Sequence, residues 1–150
     1  MEHSFPLTFP PAEAAHLRVA YEDAGSILEY GAGGSTWLAA SLPGKLVLSV
    51  ESDLDWALRL QQALDNAGLP SSAIVHHVDI GPTGDWGRPR DDRAWARFHR
   101  YPLEIWDQPC FRHPDVILID GRFPRSRTDS TPSRPAACTT RRNRPVKSRS

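Results

Sequence analysis

The hydrophobic positions along the first 120 residues follow two spacings, and each spacing predicts one kind of secondary structure. Short apolar runs predict strands that are buried in a sheet. Apolar residues three or four positions apart predict helices between those runs. The predicted strands are 26–30, 45–50, 72–78 and 115–120, and the predicted helices are 10–25, 35–42 and 52–68.

Strands that alternate with helices in this way favour one fold class. Right-handed crossovers bring successive strands into a single parallel sheet that helices cover. The sequence therefore predicts an α/β, Rossmann-like doubly wound sheet of about four strands.

A long segment between the third and fourth predicted strands breaks the alternation. It runs from Asp79 to His113, is rich in Pro, Gly and Trp, and is too long for a simple connection, which suggests a functional or partly structured loop. A short helix is predicted over 91–101. The aromatic side chains of the segment either line a substrate pocket or anchor the segment to the domain. They are Trp86, Trp95, Tyr101 and Trp106.

The charge distribution changes near residue 122 and predicts a domain boundary. Residues 1–121 carry 9 Lys plus Arg and 17 Asp plus Glu, whereas residues 122–150 carry 9 and 1. We therefore divide the chain into a folded part, 1–123, and a basic tail, 124–150, rich in Arg, Ser, Pro and Thr. The tail offers too few apolar side chains to offset its ordering entropy and is predicted to be disordered. Without interleaved aromatic residues, it gives little support for nucleic-acid binding.

The polar composition gives no sign of export, a membrane span or a metal site. The chain has no apolar run near the ~20 residues that a membrane helix requires, and its first residues lack a basic signal region. Cys110 and Cys138 lie far apart without C-x-x-C spacing. His76 and His77 are adjacent in a predicted strand, so they point to opposite faces. We expect a cytoplasmic protein without a membrane partner and predict no metal.

A glycine cluster lies where the first strand is predicted to pass into the next helix, in ILEYGAGGST, residues 26–35. Such a turn exposes free backbone N–H groups and the positive end of a helix dipole, and glycines leave a ligand's path free of Cβ atoms. The dinucleotide fingerprint G-x-G-x-x-G fits imperfectly, because Thr36 occupies its sixth position. A tight structural turn without a ligand is the alternative.

The same loop fits a second pattern better. It resembles the E/D-x-G-x-G-x-G motif of class I S-adenosylmethionine-dependent methyltransferases. The matching positions are Glu29, Gly31, Gly33, Gly34 and Ser35. In that family the loop backbone lies against the methionine part of the cofactor, and the acidic residue positions its amino group directly or through water. The resemblance implies S-adenosylmethionine as the cofactor.

Residues at the ends of the other strands support this resemblance. Glu51 follows the second strand, where a carboxylate accepts both ribose hydroxyls, although it could instead cap the helix that begins near Asp53. At the end of the third strand the family commonly has an acidic residue facing the adenine amino group and a neighbour packed on the ring, and Asp79 and Ile80 match these positions. Asp120 ends the fourth strand, either as a catalytic carboxylate or as a residue bonded to the following turn.

The resemblance covers residues 14–123 and implies transfer of a methyl group to an oxygen or nitrogen of an unidentified acceptor. Family members continue with a helix and three more strands, which complete a seven-stranded sheet. Here the composition changes after residue 123, so we expect an incomplete sheet from a truncated or frameshifted relative, with activity left open. Two alternatives remain: an NAD(P)-binding oxidoreductase that uses Glu51 on its ribose, and a non-catalytic remnant or binding module. The oligomeric state stays open.

Overall fold

The structure is a computed structural model and describes residues 5–120. The predicted tail, 124–150, lies outside this range. The strands are β1 (Ser26–Tyr30), β2 (Leu46–Glu51), β3 (Ser72–His77) and β4 (Val116–Ile119). The helices are α1 (Pro11–Asp23), α2 (Gly34–Ser41), α3 (Leu54–Asn66) and α4 (Arg100–Leu103).

The four strands form one parallel sheet in the order β3-β2-β1-β4. Leu28 of β1 is in register with Leu48 of β2 on one side and with Ile117 of β4 on the other. The predicted α/β, Rossmann-like fold is confirmed. Because the chain leaves β1 toward β2 and later returns to its other side at β4, the strand order reverses beside β1. In open parallel sheets, ligands bind outside the carboxyl ends of strands at such a reversal.

The two faces of the sheet pack against different parts of the chain. Ile27 and Val47 point to the face covered by α1 and α2, where Tyr21 is fully buried. The next residues along each strand, Leu28 and Leu48, point to the opposite face and contact the segment after β3. This alternation follows from the two-residue period of a strand. Both faces are therefore buried, as the continuous apolar runs predict.

Helix α3 begins at a residue that settles one of the alternatives for Glu51. The Asp53 side chain accepts a hydrogen bond from the Trp56 backbone N–H at 2.9 Å and is the N-cap of this helix. The interpretation of Glu51 as the cap is therefore wrong. The Glu51 carboxylate instead accepts the backbone N–H groups of Ser52 and Asp53, just before the helix.

The segment after β3 differs from the prediction. The helix expected over 91–101 is absent, and short turns of helix take its place at Trp95–Arg97, α4 and Glu104–Asp107. Few apolar side chains of 91–101 reach the sheet, and a short helix without an apolar face is unstable in water. The segment is instead anchored further on, where Ile105 is fully buried.

Candidate functional site

A cavity of about 610 Å³ opens at the carboxyl ends of β1, β2 and β4. Four parts of the chain form its walls. They are residues 5–9, the glycine loop 31–35, residues 51–53 with Trp56 and Arg59, and a group made of Trp86, Gly87, Tyr101 and Asp120. Most of the residues predicted from the sequence lie in these walls. They are Gly31, Gly33, Gly34, Ser35, Glu51 and Asp120.

Each glycine of the loop has its own structural reason. Gly31 has a φ of 101°, in the left-handed region that favours glycine, and its N–H donates to the Val50 carbonyl at 2.9 Å. Gly33 is extended, and a Cβ there would lie 3.9 Å from the nearest atom, on the Trp56 ring. A Cβ on Gly34 would lie 2.6 Å from the Pro6 carbonyl carbon. Gly33 is therefore the position where the fold itself least requires a glycine.

Glu29 is fully buried beneath this loop and is not among the residues that line the cavity. Its carboxylate accepts hydrogen bonds from the Tyr21 hydroxyl at 2.6 Å and from the Thr36 and Ser49 hydroxyls at 2.5 Å each. Thr36 Oγ1 in turn accepts the Gly33 N–H at 3.0 Å. Glu29 thus fixes the loop backbone through Thr36. Its predicted contact with a cofactor amino group stays a prediction.

Burial and hydrogen bonding shift the pKa of Glu29 in opposite directions. Burial raises the pKa of Glu29, whereas the hydrogen bonds from Ser49, Thr36 and Tyr21 lower it, and burial dominates. Thr36, the residue that spoils the dinucleotide fingerprint, is fully buried and belongs to this network. A glycine at that position would leave the loop without its link to Glu29.

Glu51 places a carboxylate on the cavity wall. Its Oε1 accepts the backbone N–H groups of Ser52 at 2.8 Å and Asp53 at 2.9 Å, and its Oε2 makes only a longer contact, 3.3 Å, with the Ala32 N–H. Burial raises the pKa of Glu51, and these backbone donors partly offset the effect. Oε2 therefore retains the capacity to accept hydrogen bonds from a ligand.

Asp79 and Ile80 are not brought into the cavity walls. The Asp79 carboxylate accepts the Gly81 N–H at 2.9 Å and pairs with Arg97. Ile80 is 1% exposed and packs in the core beside Tyr101. The chain turns at Gly81, whose φ is 96°, and this turn holds Asp79 at the surface and Ile80 inside. Their predicted adenine contacts stay predictions.

Trp56 and Gly87 line the cavity and were not predicted from the sequence, whereas Trp86 was one of the aromatic residues expected either to line a pocket or to anchor the long segment. Trp56 donates its indole N–H to the Ala32 carbonyl at 2.8 Å, which ties α3 to the glycine loop. Trp86 is 77% exposed at the rim and has a φ of 63°, unusual for a bulky residue. A Cβ on the following Gly87 would lie 2.9 Å from Glu51 Oε1, so only glycine fits there.

Three of the four aromatic residues named in the long segment divide between the two interpretations, and the fourth, Trp95, is 72% exposed and is not among the residues that line the cavity. Tyr101 and Trp86 line the cavity. Trp106 anchors the segment instead, because its indole donates to the Tyr30 hydroxyl at 2.9 Å and its ring packs on Phe111. Burial raises the pKa of Tyr101, and the negative charge of Glu51 adds to the effect. Tyr101 therefore stays protonated at neutral pH.

The adjacent histidines serve different contacts, as predicted. His76 Nε2 lies 3.1 Å from Glu104 Oε1, and His77 Nε2 lies 3.2 Å from the Ser52 carbonyl. Within residues 5–120 no three His, Cys, Asp or Glu side chains come together as metal ligands would. No helix in this part of the chain has the length and apolar character to cross a membrane.

The geometry can be compared with known proteins. The chain is similar to a methyltransferase-like protein from Silicibacter pomeroyi, with 55% identity and a TM-score of 0.73 over 77% of this chain and 61% of that one. It also matches the O-methyltransferase TomG from Streptomyces achromogenes, involved in tomaymycin synthesis and solved in complex with S-adenosylmethionine. This match has 21% identity and a TM-score of 0.44, over 76% of this chain and 45% of that one. No protein-family model and no curated protein matches the sequence.

The match to the methyltransferase-like protein confirms the family resemblance drawn from the loop motif. The described residues form the Rossmann-like part of a methyltransferase fold. The chain spans 61% of the length of that relative.

Proposed function

We propose that the cavity binds S-adenosylmethionine and that the chain takes part in transferring its methyl group to an oxygen or nitrogen acceptor. The observation that carries this proposal is the Glu51 carboxylate, held on the cavity wall at the carboxyl end of β2, facing the glycine loop. A carboxylate at this position suits a ligand with two adjacent hydroxyl groups, such as a ribose.

The residues present fit the cofactor in shape as well as in charge. The loop from Gly31 to Gly33 offers backbone whose only side chain is the Ala32 methyl group, and Gly87 leaves space beside Glu51 that any Cβ would fill. The exposed Trp86 ring at the rim suits the face of a planar base. The sulfonium cofactor is cationic at sulfur, and the cavity has the carboxylates of Glu51 and Asp120 in its walls.

The chemistry expected of the chain itself is chiefly positioning. When bound, the cofactor supplies an electrophilic methyl group, and an acceptor must be held in line with it. Asp120 lies at the end of β4 in the cavity wall, and its backbone N–H donates to the Tyr30 carbonyl at 3.0 Å. We assign to its carboxylate the removal of a proton from the acceptor.

The buried Thr36 side chain supports this function over the nicotinamide alternative. In the dinucleotide fingerprint the glycine at this position allows close packing of helix against strand. Here the Thr36 hydroxyl fills that space and contacts Ser49 Oγ at 3.2 Å. The Thr36 side chain therefore separates α2 from β2, where the dinucleotide fingerprint would have a glycine and a closer contact.

Gly33→Ala tests whether the glycine loop binds the ligand. We expect the affinity for S-adenosylhomocysteine, the cofactor's product, to fall about tenfold or more, since a new methyl group would meet the ligand. The free energy of unfolding should change by less than about 1 kcal/mol, because the new Cβ has only an ordinary contact with Trp56. Calorimetric titration and thermal melts measure the two effects.

Gly84→Ala is the matched control, because its φ of −112° suits alanine and its Cβ would lie 3.8 Å from Arg90, outside the cavity. This variant should bind like the wild type. Equal affinities for wild type and Gly33→Ala would leave the loop as a structural turn and remove this part of the proposal.

A further inference from the structure

We propose that residues 5–9, which we name the strap, close over the bound cofactor. They must move away from Gly34 in the glycine loop before the cofactor can exchange. This inference rests on the proposed function, since it concerns the same cavity. The strap lies in the cavity wall together with the glycine loop, although 21 residues separate Phe9 from Gly31 in the sequence.

The strap is an extended segment with one inward face. Phe5, Leu7 and Phe9 are partly buried, whereas Pro6 and Thr8 are exposed. This period of two places every second side chain against the domain. Leu7 and Phe9 pack against the core under α1 and α2.

Phe5 anchors the strap at the cavity. Its ring stacks on Trp37 with a centroid distance of 5.8 Å and meets Trp56 edge-on at 5.4 Å. Trp56 is itself bonded to the glycine loop through Ala32. The anchor of the strap is therefore part of the same structure that would hold the ligand.

Gly34 forms the seat on which the strap backbone lies. A Cβ at Gly34 would come within 2.6 Å of the Pro6 carbonyl carbon and 2.7 Å of the Leu7 nitrogen. These are backbone atoms, so the strap would have to move. The third glycine of the loop is thus explained by the approach of residues 5–9.

Apolar packing alone holds the strap within the described part of the chain. Between residues 5–9 and the rest of 5–120, the structure shows no hydrogen bond and no ion pair. Segments with few contacts and unpaired backbone open locally at low cost. The strap can therefore detach while the sheet stays folded, as a lid must for a ligand to enter and leave.

The test compares exchange rates of S-adenosylhomocysteine in wild type, Gly34→Ala, Phe5→Ala and the control Gly84→Ala. Stopped-flow tryptophan fluorescence gives the association and dissociation rates. If the strap gates exchange, both rates rise severalfold in Gly34→Ala and Phe5→Ala and stay unchanged in Gly84→Ala. The loss of a simple ligand contact would raise the dissociation rate alone, and that result overturns the inference.

Limited chymotrypsin digestion supplies a second readout, measured without and with ligand. Cleavage after Leu7, the site in the strap that does not precede a proline, should be faster in Gly34→Ala than in wild type, and saturating S-adenosylhomocysteine should slow it in wild type. Wild-type cleavage and wild-type rates in Gly34→Ala would overturn the strap and leave the proposed function intact. A wild-type protein that binds no S-adenosylhomocysteine would overturn both.

Discussion

Glu51→Ala is expected to weaken S-adenosylhomocysteine binding by about 1–3 kcal/mol, the range for a hydrogen bond to a charged group. The physical reason is the loss of the carboxylate that the cavity presents to the ribose hydroxyls. Calorimetric titration of wild type and variant measures the difference directly.

Two controls separate ligand contact from structural damage. Glu51 Oε1 also holds the Ser52 and Asp53 N–H groups, so alanine disturbs the start of α3 as well. Glu51→Gln keeps an amide oxygen for these donors and should bind with intermediate affinity. Glu13→Ala, in the exposed first turn of α1, removes a carboxylate that is not among the residues lining the cavity and should have no effect. Wild-type affinity in Glu51→Ala would contradict the assignment.

Glu29→Ala is expected to lower the free energy of unfolding by about 3 kcal/mol. The substitution leaves the buried hydroxyls of Tyr21, Thr36 and Ser49 without their shared acceptor, and each unsatisfied buried group costs about 1–3 kcal/mol unless the site relaxes. It also opens a cavity in the core. Urea unfolding followed by circular dichroism gives the value.

Glu29→Gln is the control variant, and the measurement is the free energy of unfolding as a function of pH. Because burial raises the pKa of Glu29 in the folded state, the folded protein binds a proton more tightly than the unfolded chain. The contribution of Glu29 to the free energy of unfolding is fully present below its pKa in the unfolded chain. It is lost as the pH rises through its pKa in the folded protein. As the pH rises through the folded-state pKa of Glu29, the free energy of unfolding of the wild type should therefore fall relative to that of Glu29→Gln. A constant difference would show that Glu29 does not titrate in this range.

The sheet and the main cavity walls were predictable because they depend on local pattern. The apolar runs mark the strands, and parallel strands bring their carboxyl ends to one edge, which unites Gly31, Glu51 and Asp120. The network under the loop needs strand register as well. Ser49 contacts Glu29 because these residues are paired between β2 and β1, which no spacing in a single strand reveals.

The remaining parts of the site depend on contacts between distant segments. Phe5 reaches Trp56 only through the path of the chain before α1, so the strap leaves no motif in the sequence. The directions in which the Asp79 and Ile80 side chains point depend on a turn at Gly81. The wrong prediction of a helix over 91–101 has a similar cause. The segment has few apolar residues, and they are insufficient to stabilise a regular helix.

Titration of the wild-type protein with S-adenosylhomocysteine and, separately, with NAD tests the central claim most directly. We expect saturable one-to-one binding of S-adenosylhomocysteine, displaced by S-adenosylmethionine, and no measurable binding of NAD. Binding of NAD without binding of S-adenosylhomocysteine would contradict it and would assign Glu51 to a nicotinamide cofactor.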